Sequence, residues 1–110
     1  MNKEIEKINK LAEKKKGDRL MKYLSSRDSS IKIAAMKALG KCDGEKGFNT
    51  LINALEDSDP LVRKAAAEGL GETKKDVAFT HLAYHFEKEL DENVKKAMKN
   101  AMSSIHTASH

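Results

Sequence analysis

The chain has 110 residues, enough for one small domain. One Cys excludes an internal disulfide framework and a Cys-rich zinc site, and no stretch approaches the ~18–20 apolar residues of a membrane span. The net charge of +4 is unevenly spread: residues 1–42 hold 12 Lys/Arg against 5 Asp/Glu, and residues 43–110 hold 9 against 12. The first part is therefore +7 and the remainder −3, so an electrostatic partner is expected to favour the N-terminal end. Aromatics are 5% of the chain, there is no Trp, and the apolar residues are mostly Ala, Leu and Ile, a composition for packed helices rather than a β-sandwich.

In chain order, the start MNKEIEKINK alternates charge with single aliphatics, unlike the apolar core of a signal peptide, so a cytoplasmic location is expected. Residues 2–16 carry Ile5, Ile8, Leu11 and Ala12 along one side of an amphipathic helix, with Lys, Glu and Asn elsewhere, as a polar terminal cap requires. Lys14-Lys15-Lys16-Gly17 is expected to end it. Leu20, Met21 and Leu24 then mark a short helix, Asp28 an N-cap, and Ile31, Ala34, Ala35, Ala38 and Leu39 a second helix.

The same arrangement returns 31 residues later without a gap. Leu51, Ile52 and Leu55 form the short helix, Asp59 the cap, Pro60 the first helical position, and Val62, Ala65, Ala66 and Leu70 the second helix. Gly40 and Gly71 follow the last core Leu of their copies, where a left-handed closing residue is expected. A third copy has Phe79, Leu82, Ala83 and Phe86, the cap Asp91, then Val94, Ala97, Met98, Ala101 and Met102, with one residue inserted between its helices. The expected organisation is one domain over 1–110: a capping helix (1–17), repeats at 18–42, 43–73 and 74–105, and a tail at 106–110 that holds His106 and His110.

A repeated hairpin of about 31 residues with DPLVRKAAAEGLG in its second helix resembles the HEAT-like repeats, in the short variety named after phycobilisome lyases. The resemblance covers residues 18–105 and implies an all-α fold, a right-handed α-α superhelix of about three hairpins plus the capping helix. It also implies first helices on the convex side, second helices on the concave side, and a protein partner on the concave face. In this family an acidic residue ending the first helix pairs with a basic residue early in the second, which corresponds here to Asp57 with Arg63 and Glu89 with Lys95. The first copy departs from the pattern, with Ser26 beside Lys32; Asp57 of the next repeat is the remaining acid for Lys32.

The candidate concave surface is Lys32, Ile33, Met36, Arg63, Lys64, Ala67, Lys95, Lys96 and Lys99. Lys32, Arg63 and Lys95 share one column of the stack, ~10 Å apart per step at helix-packing distance. That column reads either as a grip for phosphates or an acidic peptide, or as an intramolecular ladder neutralised by Asp57 and Glu89. His81 and His85 lie four apart with Glu89 one turn on, a spacing that puts three possible zinc ligands on one helix face, although no Glu directly follows His81 as in a zincin. Cys42 has no His in its own or an adjoining repeat to act as a base, so no catalytic residues are assigned.

The leading expectation is a non-enzymatic protein-interaction module, scaffold or adaptor, with no cofactor, no membrane contact and a monomer as the default. Nucleic-acid binding through the basic second-helix residues and a metal site at His81/His85 are the alternatives. Stacking aromatics for single strands are scarce.

Overall fold

The computed structural model describes residues 2–108. Among them are seven α-helices: α1 (Lys3–Glu13), α2 (Gly17–Met21), α3 (Ser29–Ala38), α4 (Glu45–Ala54), α5 (Pro60–Thr73), α6 (Asp76–Lys88) and α7 (Glu92–Ala108). Short 3₁₀ segments at Lys22–Ser25 and Leu39–Lys41 extend α2 and α3. Helix α1 packs on α3, α3 on α5, and α5 most extensively on α7. These four form one layer of an α-α solenoid. The second layer consists of α2 with its 3₁₀ extension, α4 and α6, each packed on the helix that follows it.

Local chemistry sets the helix starts. Asn2 caps α1 through its side chain, accepting from the N–H groups of Glu4 and Ile5. Asp28, Asp59 and Asp91 accept from Ser30 N–H (3.0 Å), Leu61 N–H (2.9 Å) and Asn93 N–H (2.9 Å), as their place before each second helix requires. The residue two before each cap closes the loop: Ser26 Oγ, Asp57 Oδ1 and Glu89 Oε2 accept from the cap's own N–H at 3.1, 2.9 and 3.0 Å. Ser26 therefore keeps the loop bond that the acids make in the other two copies.

The helix ends differ from expectation. Neither Gly40 nor Gly71 has a positive φ; Gly40 lies in a 3₁₀ segment and Gly71 inside α5. The left-handed residues are Lys15 (φ 56°) after α1 and Lys74 (φ 57°) after α5. The glycines serve helix approach instead. A Cβ on Gly40 would lie 2.1 Å from the Gly69 carbonyl oxygen, and one on Gly71 would lie 3.1 Å from Ala101 Cα. These contacts let α3 and α5, and α5 and α7, meet backbone to backbone.

The core is thin and aliphatic. Ile8, Leu20, Leu39, Leu51, Leu55, Leu70, Leu82, Val94, Met98 and Ile105 are almost fully buried between the layers, and Ala-rich faces bring the second helices together. Phe79, expected in the core, is 38% exposed, and Ala78 takes the inward position with Leu82 one turn on. The register of α6 is thus one residue off the expected one at its start. Helix α7 continues through Ala108, where a tail was expected from residue 106; His110 lies outside the described residues.

Candidate functional site

The second helices α3, α5 and α7 carry the candidate surface. Helix α5 is packed by α3, α7, α4 and α6, so its buried face is wide: Val62, Ala65, Ala66, Ala67, Gly69, Leu70 and Gly71 are all inside. Only a narrow strip reaches solvent, with Lys64, Glu68 and Glu72 at steps of four. Ala67 (0% exposed) and Met36 (5%) therefore leave the candidate surface. Ile33 is half-buried against the core, Lys64 is half-buried, and Lys96 and Lys99 are exposed.

The Lys32–Arg63–Lys95 column is not a uniform ladder. Arg63 Nε and Nη2 donate to Glu89 Oε1 and Oε2 at 2.8 and 2.9 Å, a two-pronged pair across repeats. Its Nη1 donates to the carbonyls of Asp57 (2.8 Å) and Ser58 (3.2 Å). Asp57 thus contributes its backbone, not its carboxylate, which corrects the expected Asp57–Arg63 pair. The expected Glu89–Lys95 pair is replaced as well: Lys95 sits 3.8 Å from Glu92 and 5.3 Å from the centre of the Phe86 ring. Among the described residues Lys32 has no ion-pair partner within 4 Å, so Asp57 does not reach it.

The Glu89 side chain is only 5% exposed and that of Arg63 20%. The Arg63 guanidinium holds the Glu89 carboxyl below its ordinary range against the opposing effect of burial, and Glu89 holds the Arg63 guanidinium more firmly protonated. Charge-assisted bonds of this form fix two repeats in register. With four of its five N–H groups engaged, Arg63 keeps no pair of donors for a phosphate.

A groove of about 470 Å³ runs between α5 and α7. Its floor is made of small residues, Gly71, Ala97 and Ala101, and its walls carry Lys37, Lys64, Glu68, Glu72, Asn93, Lys96, Asn100 and Ser104. Lys37 stands 3.7 Å from Glu68, whereas Lys64 and Lys96 are without an ion-pair partner among the described residues. Of the expected surface, Lys64 and Lys96 are brought into this groove; Lys32, Ile33, Arg63, Lys95 and Lys99 are not among its lining. The polar residues Glu68, Glu72, Asn93 and Asn100 were missed. Their signal was present as steps of three or four from Lys64 and Lys96 along each helix.

His81 and His85 face a shallow depression between α4 and α6 with Glu56. His85 Nε2 lies 3.9 Å from Glu56 Oε1, and burial holds the imidazole below its ordinary value. Glu89, the third residue of the expected metal set, is bound to Arg63 instead. Among the described residues no three His, Cys, Asp or Glu side chains gather in a way that could hold a metal ion. Cys42 is half-buried, and burial, with Asp43 beside it, pushes its thiol pKa up. That disfavours the thiolate a nucleophile needs.

Against known families, a model described as HEAT repeats matches residues 17–103. The chain belongs to the HEAT-repeat family. The match spans all three hairpins and begins at α2, leaving α1 as a helix outside the family pattern. HEAT repeats generally mediate protein–protein interaction. No curated protein matches the chain. Among the described residues no helix is long and apolar enough to cross a membrane.

Proposed function

We propose that this HEAT-repeat chain is a non-enzymatic protein-interaction module whose partner docks on the second-helix face, along the groove between α5 and α7. The observation that supports it is the groove's construction. Gly71, Ala97 and Ala101 make a floor without bulk, so a partner side chain can come close to the helix backbones. Lys64 and Lys96 stand on opposite walls, and among the described residues no carboxylate lies within ion-pair distance of either. Carboxylates of a partner would supply the missing counter-charges. Lys32 and Lys99 extend the positive charge of the same face as exposed or half-exposed neighbours. Glu68 and Glu72 interleave with these lysines, which favours a protein with groups of both signs over a uniformly negative phosphate backbone.

The test is affinity capture from the native host with the purified chain and with the Lys64→Glu/Lys96→Glu variant. Proteins bound by the first, released by raised salt and lost from the second support the reading. An unchanged set of bound proteins would show that the second-helix groove is not the docking surface.

A further inference from the structure

The most concentrated charge in the molecule lies away from that groove. Helix α1 and its C-cap Lys14 present Lys7, Lys10 and Lys14 at steps of three and four, with Leu11 in the same stripe. After the turn at Lys15 the chain presents Lys16, Arg19 and Lys22 at steps of three, with Tyr23 beside them. The two stripes face each other as the walls of one groove of about 720 Å³. All six cations are exposed, none is ion-paired among the described residues, and no acidic residue lines the groove. The acids of this segment, Glu4, Glu6, Glu13 and Asp18, are not among its lining residues. Lys15, which is not in the lining either, takes Asp43 at 3.3 Å.

Gathering like charges at helical steps of three and four works against the fold. The fold does not need these cations: α1 is anchored through Ile8 and Ala12, both buried, on its other side. The six are therefore free to serve a ligand. Leu11 and Tyr23, each half-buried, give the groove an apolar floor between cationic walls.

We infer that the groove between α1 and α2 docks an acidic peptide segment of a partner protein. Its carboxylates face the six cations, and one apolar side chain lies between Leu11 and Tyr23. The wall on this side runs from Lys7 to Lys14, so the groove is ~11 Å long, the span of about three extended residues. The apolar floor has no role against a sugar–phosphate backbone. Tyr23 is the sole aromatic before Phe48, so a single strand finds no row of stacking rings. An anionic membrane is disfavoured as well, because Ile5, Ile8 and Ala12 of α1 pack on the core and leave Leu11 as its one apolar residue in the groove. This groove is distinct from the one between α5 and α7, and its occupancy does not depend on the reading given for that face.

Fluorescence anisotropy with the full chain tests the inference. The probe is a labelled peptide of alternating Glu and Asp with one central Phe. The companion probes are the same peptide with Ser in place of Phe, an oligothymidine strand, and vesicles of phosphatidylserine in phosphatidylcholine. The Phe peptide is expected to bind at low salt, to bind more tightly than the Ser peptide, and to weaken as salt rises. Lys7→Glu/Lys14→Glu/Arg19→Glu is expected to weaken it about ten-fold or more, since three attractive contacts become repulsive. Lys64→Glu/Lys96→Glu is expected to leave it unchanged, which separates this groove from the other. All three substituted residues are exposed, and a retained helical circular-dichroism spectrum checks the fold. The inference is overturned by no binding, by equal binding to the triple variant, by equal affinity for the Ser and Phe peptides, or by tighter binding of the strand or the vesicles.

Discussion

Replacing Gly40 by Ala isolates the backbone contact on which the stack depends. A Cβ there would lie 2.1 Å from the Gly69 carbonyl oxygen and 2.7 Å from the Gly69 Cα and carbonyl carbon, whereas real Cβ atoms essentially never come within 3.0 Å. The obstructing atoms are backbone, so no rotamer change relieves them. Helices α3 and α5 must separate by roughly 1 Å, and overpacking of this kind costs about 1–3 kcal/mol, occasionally more. Separation also loosens Met36, Leu39 and Leu70, which are buried on α3, its 3₁₀ extension and α5. The expected loss is about 3 kcal/mol, or a fall in Tm of about 12 °C for a domain of this size. Gly71→Ala is the control. Its Cβ would meet Ala101 at 3.1 Å, a contact relieved by a few tenths of an ångström, and the change adds about 1 kcal/mol of helix propensity inside α5. The two effects nearly cancel, so that variant is expected within about 1 kcal/mol of the parent. Thermal and urea unfolding followed by circular dichroism at the helical band measures both. A Gly40→Ala protein at least as stable as the parent would refute the close-approach account of this glycine.

Three further outcomes follow from the cross-repeat pair and the half-buried imidazole. Glu89→Gln leaves Arg63 without its counter-charge and is expected to cost about 2 kcal/mol at pH 7, read by urea titration. Because the folded-state pKa of Glu89 lies below its ordinary 4.5, the contribution is complete above that pH and is lost as pH falls through the folded value. The gap between parent and Glu89→Gln should therefore narrow in acid, and a gap as wide at pH 3 as at pH 7 would contradict the pairing. His85 is held below its ordinary 6.5 chiefly by burial, so the unfolded chain takes up its proton first. Stability is expected to decline as pH drops below 6.5 through the folded value; His85→Gln should flatten that slope, and an imidazole NMR titration above 6.5 would count against it.

The helix starts could be read from the sequence because an N-cap is a local device. Asp28, Asp59 and Asp91 need only their own next turn, and each makes the expected bond. The two-layer repeat was equally legible, since the spacing of 31 places the apolar residues of each copy on corresponding faces. Position relative to other repeats was not. The glycines after Leu39 and Leu70 carry the same one-dimensional signal whether they close a helix in the left-handed region or let two helices touch. Met36 and Ala67 were assigned to the concave surface because one helix viewed alone has two sides, while α5 in place is covered from several directions.

The candidate sites divide in the same way. Lys64 and Lys96 were named from the repeat register, and they do line a groove, but Glu68, Glu72, Asn93 and Asn100 complete it only when α5 and α7 are brought side by side. Arg63 was expected to pair with the Asp57 carboxylate, but it meets only the Asp57 carbonyl, and its carboxylate partner is Glu89 of the next repeat. The +7 of residues 1–42 marked this end of the chain as basic. It took the turn at Lys15 to fold Lys7, Lys10 and Lys14 against Lys16, Arg19 and Lys22 and make a groove of them.

By itself the sequence determined that the chain is helical, that it repeats, where its second helices begin and which end is basic. These properties depend on residues within a turn or on a period that every copy shares. The tertiary structure decided which glycines are contacts, which carboxylate holds Arg63 and which lysines face one another across a groove. Each of those depends on the distance between helices separated by a whole repeat, and that distance is set by how thin the alanine layers between them are packed.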